Sequence, residues 1–134
     1  VTLLDRYTAL APRVLGIFRF LAGVLFSMHG AQKALGAFGG IPPGVPAMIK
    51  YGVGGMELVC GALIAVGLLT RPAAFLCSGL MAFAYFIGHA GNGPWPVTNG
   101  GELALLFCWF FLYLSMQGPG AFAIDNLLRR SRAA

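Results

Sequence analysis

Two histidines and two glutamates, His29, Glu57, His89 and Glu102, stand inside a chain that is 58% hydrophobic and only 10% charged. Ionisable groups are expensive in so apolar a setting, so each marks a structural pair or a functional site. An imidazole can donate to a carbonyl, and a neighbouring carboxylate can fix its tautomer or accept a proton. Two readings of the four groups stand side by side. In one, His29 with Glu57 and His89 with Glu102 are buried pairs that hold helices in register. In the other, the four form a polar pocket for the head of a quinone and exchange its protons, with Tyr85 and Trp109 as aromatic walls. Metal ligation by the same groups is chemically reasonable but needs tighter convergence than spacing establishes, and no metal is assigned. Haem ligation by His29 and His89 is a further reading, weakened by the glutamates on the matching helices.

The elements that position these groups are long apolar stretches, and the mean hydropathy of the 134 residues is +0.80. Four of them, 14–35, 45–69, 72–88 and 101–116, approach the roughly 20 residues that cross a bilayer as a helix. The last two are short and must use their flanks or a thinned bilayer. Period-two alternation is absent, which excludes a transmembrane β-barrel. The expected fold is an all-α bundle of four transmembrane helices in a single domain, with a short interfacial helix over 121–130. Steps of three and four residues align Arg19, Ala22, Phe26, His29 and Lys33 on the first helix and Lys50, Gly54, Glu57, Gly61, Ile64 and Leu68 on the second. Ser78, Ala82, Tyr85 and His89 form a similar stripe on the third. Glu102, Leu106, Trp109, Tyr113 and Gln117 form one on the fourth. Such stripes are expected to face one another or a partner subunit. Counted at about 1.5 Å per residue from the inner end of each helix, the two histidines and two glutamates fall in one layer about 21 to 27 Å up.

Charge sets the expected orientation. Arg6 and Arg13 precede the first span, Arg71 separates the second and third, and Arg129, Arg130 and Arg132 follow the fourth. The segment 90–100 carries no charge. The positive-inside rule then places both termini in the cytoplasm, against the minority vote of Lys33 and Lys50. The net charge of +5 reads as topology and attraction to anionic lipid, and no nucleic-acid partner is expected. A cleavable signal peptide is not expected at the start, because the charged residues there lead into an apolar run without a small-residue processing signal. Cys60, Cys77 and Cys108 lie singly in apolar spans and read as small hydrophobic packing residues. Gly16, Gly23 and Gly30 recur every seven residues and permit a second helix to approach closely.

Arg19, Lys33, Arg71 and Asp125 are assigned to lipid or partner contacts. An arginine in the first span, HGAQK, GGMELVCG on the second, TRPAA at the turn, His89 ending the third, NGGE opening the fourth and GPGAFAID after it together resemble the DoxX family of small four-helix membrane proteins. The resemblance runs from about Leu10 to Leu128. It marks Arg19, His29, Lys33, Glu57, Arg71, His89, Glu102 and Asp125 as family-like positions. It implies association with thiosulfate:quinone oxidoreductase subunits and with membrane oxidoreductase complexes that handle quinones or thiol and oxidative stress. Localisation in a bacterial inner membrane follows from the same resemblance. The chain has no nucleotide-binding loop, CxxC pair or soluble domain for a flavin, so electrons would have to arrive from another protein. The leading expectation is a membrane subunit of a quinone-linked oxidoreductase. The alternative is an accessory subunit, in a larger complex or a homo-oligomer, without redox chemistry of its own.

Overall fold

Pro12 sits in the first turn of a long helix, where its missing N–H costs nothing and its fixed φ favours the helix. That helix, α2 (Ala11–Leu35), follows a short α1 (Leu3–Thr8) capped reciprocally by Thr2 and Asp5. It ends at Gly36, whose φ of 71° closes the last turn in the left-handed conformation that glycine adopts freely. The proline- and glycine-rich stretch after it runs into a π-helical segment, Met48–Val53, which continues directly into α3 (Gly54–Val66). Gly67 to Leu69 turn the chain into α4 (Thr70–Gly88). A single turn, α5 (Pro96–Asn99), precedes α6 (Glu102–Gln117), and α7 (Ile124–Ala133) closes the chain. This computed structural model describes residues 1–134, entirely helical and without strands.

Three helical stretches, Leu3–Leu35, Met48–Val66 and Thr70–Asn92, are long and apolar enough to cross a membrane, and Glu102–Gln117 is a shorter apolar helix. At about 1.5 Å per residue α6 covers roughly 24 Å, short of the hydrocarbon thickness. The outer surface is apolar: Phe18, Phe20, Leu21 and Leu25 on α2, Phe75, Phe83 and Phe86 on α4, and Leu103 and Leu106 on α6 are all exposed. Apolar faces on every long helix are what a hydrocarbon solvent requires.

The helices associate as α2 against α3 and α4 against α6, with α3 touching α4. The first contact is made by glycine. A Cβ on Gly23 would lie 2.5 Å from the Ala65 backbone nitrogen, and one on Gly61 would lie 2.6 Å from Ser27 Oγ. Gly30 meets the Leu58 backbone in the same way, so the seven-residue glycine repeat is used inside the chain. The second contact is aromatic. Phe107 stacks on Phe111, and Phe26 of α2 meets the Phe111 ring edge-on at 4.9 Å, joining the two helix pairs in one core with Ile64, Cys77, Met81 and Leu114.

That core differs from the expected seam on one helix. The α2 and α3 stripes face inward as their spacing predicts, with Arg19, Phe26, Glu57, Gly61 and Ile64 buried. On α6 the buried residues are Phe107, Phe111 and Leu114, while the stripe Glu102, Leu106, Trp109, Tyr113 and Gln117 is exposed throughout. The physical reason lies in position along the helix. Glu102 occupies the first turn and Gln117 the last, where polar groups can reach water, and Tyr113 lies one turn from that end, within reach of the interface.

Candidate functional site

Lys33 and His29 lie one turn apart on the inward face of α2, and Glu57 lies in the first turn of α3. The tight glycine packing brings these faces together: Lys33 Nζ donates to Glu57 Oε2 at 2.7 Å, the one ion pair in the protein. Glu57 is deeply buried, its side chain 4% exposed, and Lys33 is covered over most of its length at 23%. The sequence reading offered His29 as a partner for Glu57 and assigned Lys33 to lipid or partner contacts. In the structure the four-carbon stem of Lys33 reaches back to the carboxylate, and the ammonium serves as its counter-charge.

The ion pair forms part of the wall of a cavity of about 410 Å³. His29 and His89 also line it, so α2, α3 and the end of α4 bring three of the four predicted ionisable groups and Lys33 to one space. The rest of the wall is apolar, including Phe26, Ile49, Val53, Met81 and Phe107, and the exposed Phe83, Ile87 and Leu103 stand at its rim on α4 and α6. His89 Nδ1 is 3.3 Å from the Asn99 carbonyl oxygen. A carbonyl can only accept, so this contact puts the proton on Nδ1 and leaves Nε2 of the neutral ring as an acceptor.

Glu102, Tyr85 and Trp109 do not line this space. Glu102 is exposed, and His89 pairs with the Asn99 backbone in its place. Trp109 is 64% exposed on the outer face of α6. The Tyr85 hydroxyl accepts from Asn99 Nδ2, and its ring packs against the Gly101 backbone. Asn99 was not singled out from the sequence. It is buried, donates to Tyr85 and the Gly93 carbonyl, and accepts from the Gly101 N–H, tying the segment before α6 to the end of α4. The asparagine before paired glycines in NGGE is the signal that could have found it. No three histidine, cysteine or acidic side chains come close enough to share a metal ion.

The other charged positions form a second polar cluster at the opposite end of the bundle. Arg19, 1% exposed, uses all five of its N–H groups on carbonyl oxygens: Nε on Pro119, Nη1 on Ile64 and Ala65, and Nη2 on Ala121 and Phe122, at 2.6 to 3.1 Å. It therefore holds no lipid. It instead joins the C-terminal end of α3, where the dipole favours a cation, to the segment before α7. Asp125 accepts from the Leu69 and Thr70 N–H groups and so caps the start of α4. Partial burial pushes its carboxyl up, but the Thr70 and Leu69 donors and the Arg19 charge outweigh this and hold it below its ordinary value of 3.8. Arg71 Nη1 donates to the Ser115 and Met116 carbonyls at the end of α6. Thus the reading of Arg19 and Asp125 as lipid or partner contacts gives way to internal ones, while Arg71 combines an internal contact with exposure.

Apolar outer faces on every long helix and an ion pair set into an apolar cavity define a class of small helical membrane protein. Residues 14–90 match the DoxX family model, and the chain belongs to that family. An uncharacterized protein of Haemophilus influenzae is 41% identical over 125 residues, 86% of this chain and 90% of that one. The inner membrane protein YqjF of Escherichia coli is 30% identical over 118 residues, 85% of this chain and 91% of that one. A Bacillus subtilis protein named "Putative oxidoreductase CatD" is 25% identical over 122 residues, 87% of each chain. No solved structure matches the chain.

Proposed function

We propose that the protein is a membrane subunit of a quinone-linked oxidoreductase in a bacterial inner membrane, with its termini in the cytoplasm, and that the α2–α3–α4–α6 cavity receives the quinone head. The observation that carries this reading is the convergence of His29, Lys33, Glu57 and His89 on an apolar space with exposed apolar residues at its rim. Its volume lies within the range of small-molecule sites, and its few polar groups stand together against hydrophobic walls, as such sites require. A ring with two carbonyl oxygens fits that distribution of donors and apolar surface. When bound, a quinone supplies a two-electron acceptor that takes up two protons.

The chain's own residues supply binding and protons. The Lys33 ammonium and a ring N–H of His29 can donate to a carbonyl oxygen, and Nε2 of His89 can accept from the hydroxyl of the reduced head. Glu57 holds Lys33 in the cavity and compensates its charge. In this reading the electrons reach the quinone from a partner protein. The name of the Bacillus subtilis relative supports redox chemistry in general and specifies no substrate. The accessory-subunit reading keeps one supporting observation: the outward stripe on α6, including Glu102 and Trp109, is free to meet another subunit.

Photolabelling with an azidoquinone tests the proposal. Adducts on the cavity walls, competed by unlabelled quinone, are expected. Adducts confined to the outer face of α6, or labelling that quinone does not compete, would favour the accessory role.

A further inference from the structure

Arg71 and Arg129 have no carboxylate partner, the only ion pair being Lys33–Glu57 at the other polar centre. Both nonetheless line one hollow of about 310 Å³, formed where the start of α2, the end of α6 and α7 meet. Pro12, Tyr113, Gln117 and Asn126 complete its polar and backbone walls, and no acidic residue lines it. Arg71 directs Nη1 to α6 carbonyls, leaving Nη2 and Nε without a hydrogen-bond partner. Arg129 makes no internal hydrogen bond and is exposed. A carboxylate, Asp125, lines an adjoining hollow with the same two arginines, but it is absent from the wall of this one and forms no ion pair with either. Two forked donors around a space without a counter-charge match the geometry of a phosphate.

The geometry points to a binding site for the phosphate headgroup of an anionic glycerophospholipid between Arg71 and Arg129. The surroundings favour a lipid over a free anion. Above the arginines, Tyr113 is 53% exposed on α6 and Val14 60% exposed on α2. One turn further along, Phe18 and Phe110 pack with ring centroids 4.2 Å apart, an apolar contact between the two helices. Phosphate oxygens held by the arginines therefore leave the acyl chains lying along exposed apolar residues of α2 and α6. The amphipathic α7, with Leu127 and Leu128 exposed and arginines in its last turn, keeps Arg129 at the same interface.

Native mass spectrometry of the detergent-purified full chain, loaded with phosphatidylglycerol or with phosphatidylcholine of the same acyl chains, reads this directly. Phosphatidylglycerol is expected to be retained preferentially. Arg129→Gln should weaken its retention about tenfold, the loss of a charge-assisted hydrogen bond to the phosphate. Arg132→Gln, which removes the same charge from α7 outside the hollow, should leave it unchanged. Arg71→Gln also cuts carbonyl contacts at α6, so Arg129→Gln is the decisive variant should that protein misfold. Equal losses in the Arg129 and Arg132 variants, or equal retention of the two lipids, would overturn the site. Displacement of phosphatidylglycerol by inorganic phosphate, but not by chloride at the same ionic strength, would assign the hollow to a free anion and equally overturn the proposal.

Discussion

Glu57 and Lys33 illustrate how a buried charge is made tolerable. Neither is affordable alone in an apolar interior, and their 2.7 Å contact offsets part of the desolvation of each. Substituting one partner strands the other, so Glu57→Gln is expected to destabilise the protein by about 3 kcal/mol or more. The double variant Lys33→Met with Glu57→Leu should recover most of that loss. A double-mutant cycle in unfolding free energy measures the difference, and strictly additive effects would show that the pair is not coupled. Asp125 gives a second prediction at this scale. Its folded pKa lies below the unfolded value, so its contribution is complete above about pH 3.8 and is lost as pH falls through the folded value. Melting curves through the acid range should show this decline in the native protein, and Asp125→Asn should flatten that part of the profile. Residue types were legible in the sequence, whereas partners were not. Spacing places His29, Lys33 and Glu57 on inward faces, but it cannot say which of two basic groups one turn apart reaches the carboxylate. Nor can it show that the carbonyl cage of Arg19 comes from residues a hundred positions away.

At the scale of the element, α2 and α3 lie close because glycines on both leave backbone facing backbone. Gly30→Ala would drive a methyl group into the Leu58 backbone, whereas Gly55→Ala enters open space. The first is expected to cost about 1–3 kcal/mol or prevent assembly, while the second should be neutral or slightly stabilising. Thermal denaturation in detergent compares them, and equal tolerance would mean that the helices separate more readily than this packing implies. The α2 and α3 faces were legible because glycines and costly ionisable groups share their stripes. The α6 face was not, because in lipid both sides of the helix are hydrophobic and the usual contrast between core and surface disappears. Trp109 and Tyr113 suit the outer face, while Phe107 and Phe111 fill the space between the helix pairs. Only packing volume distinguishes these two sets of aromatics, and volume is not written in a periodicity.

At the scale of the whole molecule, the two ends of the bundle do different work. One end is locked by Arg19, Asp125 and Arg71, which bind α3, α4, α6 and the segment before α7 through backbone groups. The other end holds the cavity, lined by the Lys33–Glu57 pair and the two histidines. Four crossings with both termini inside require the segment around Asn92 to face outward. A cysteine placed there should react with an impermeant reagent on intact cells, and reaction only after the inner face is opened would reverse the orientation.

The central claim is that the cavity receives a quinone head, and its walls provide an internal control. His29 and His89 line it, whereas Glu102 lies on the exposed face of α6. Quinone affinity should therefore be measured by equilibrium binding in the folded His29→Gln, His89→Gln and Glu102→Gln proteins. Loss of a hydrogen bond to the head should weaken binding about three- to tenfold in one or both histidine variants, with the Glu102 variant matching the native protein. Unchanged affinity in both histidine variants, or a loss confined to Glu102→Gln, would contradict the account.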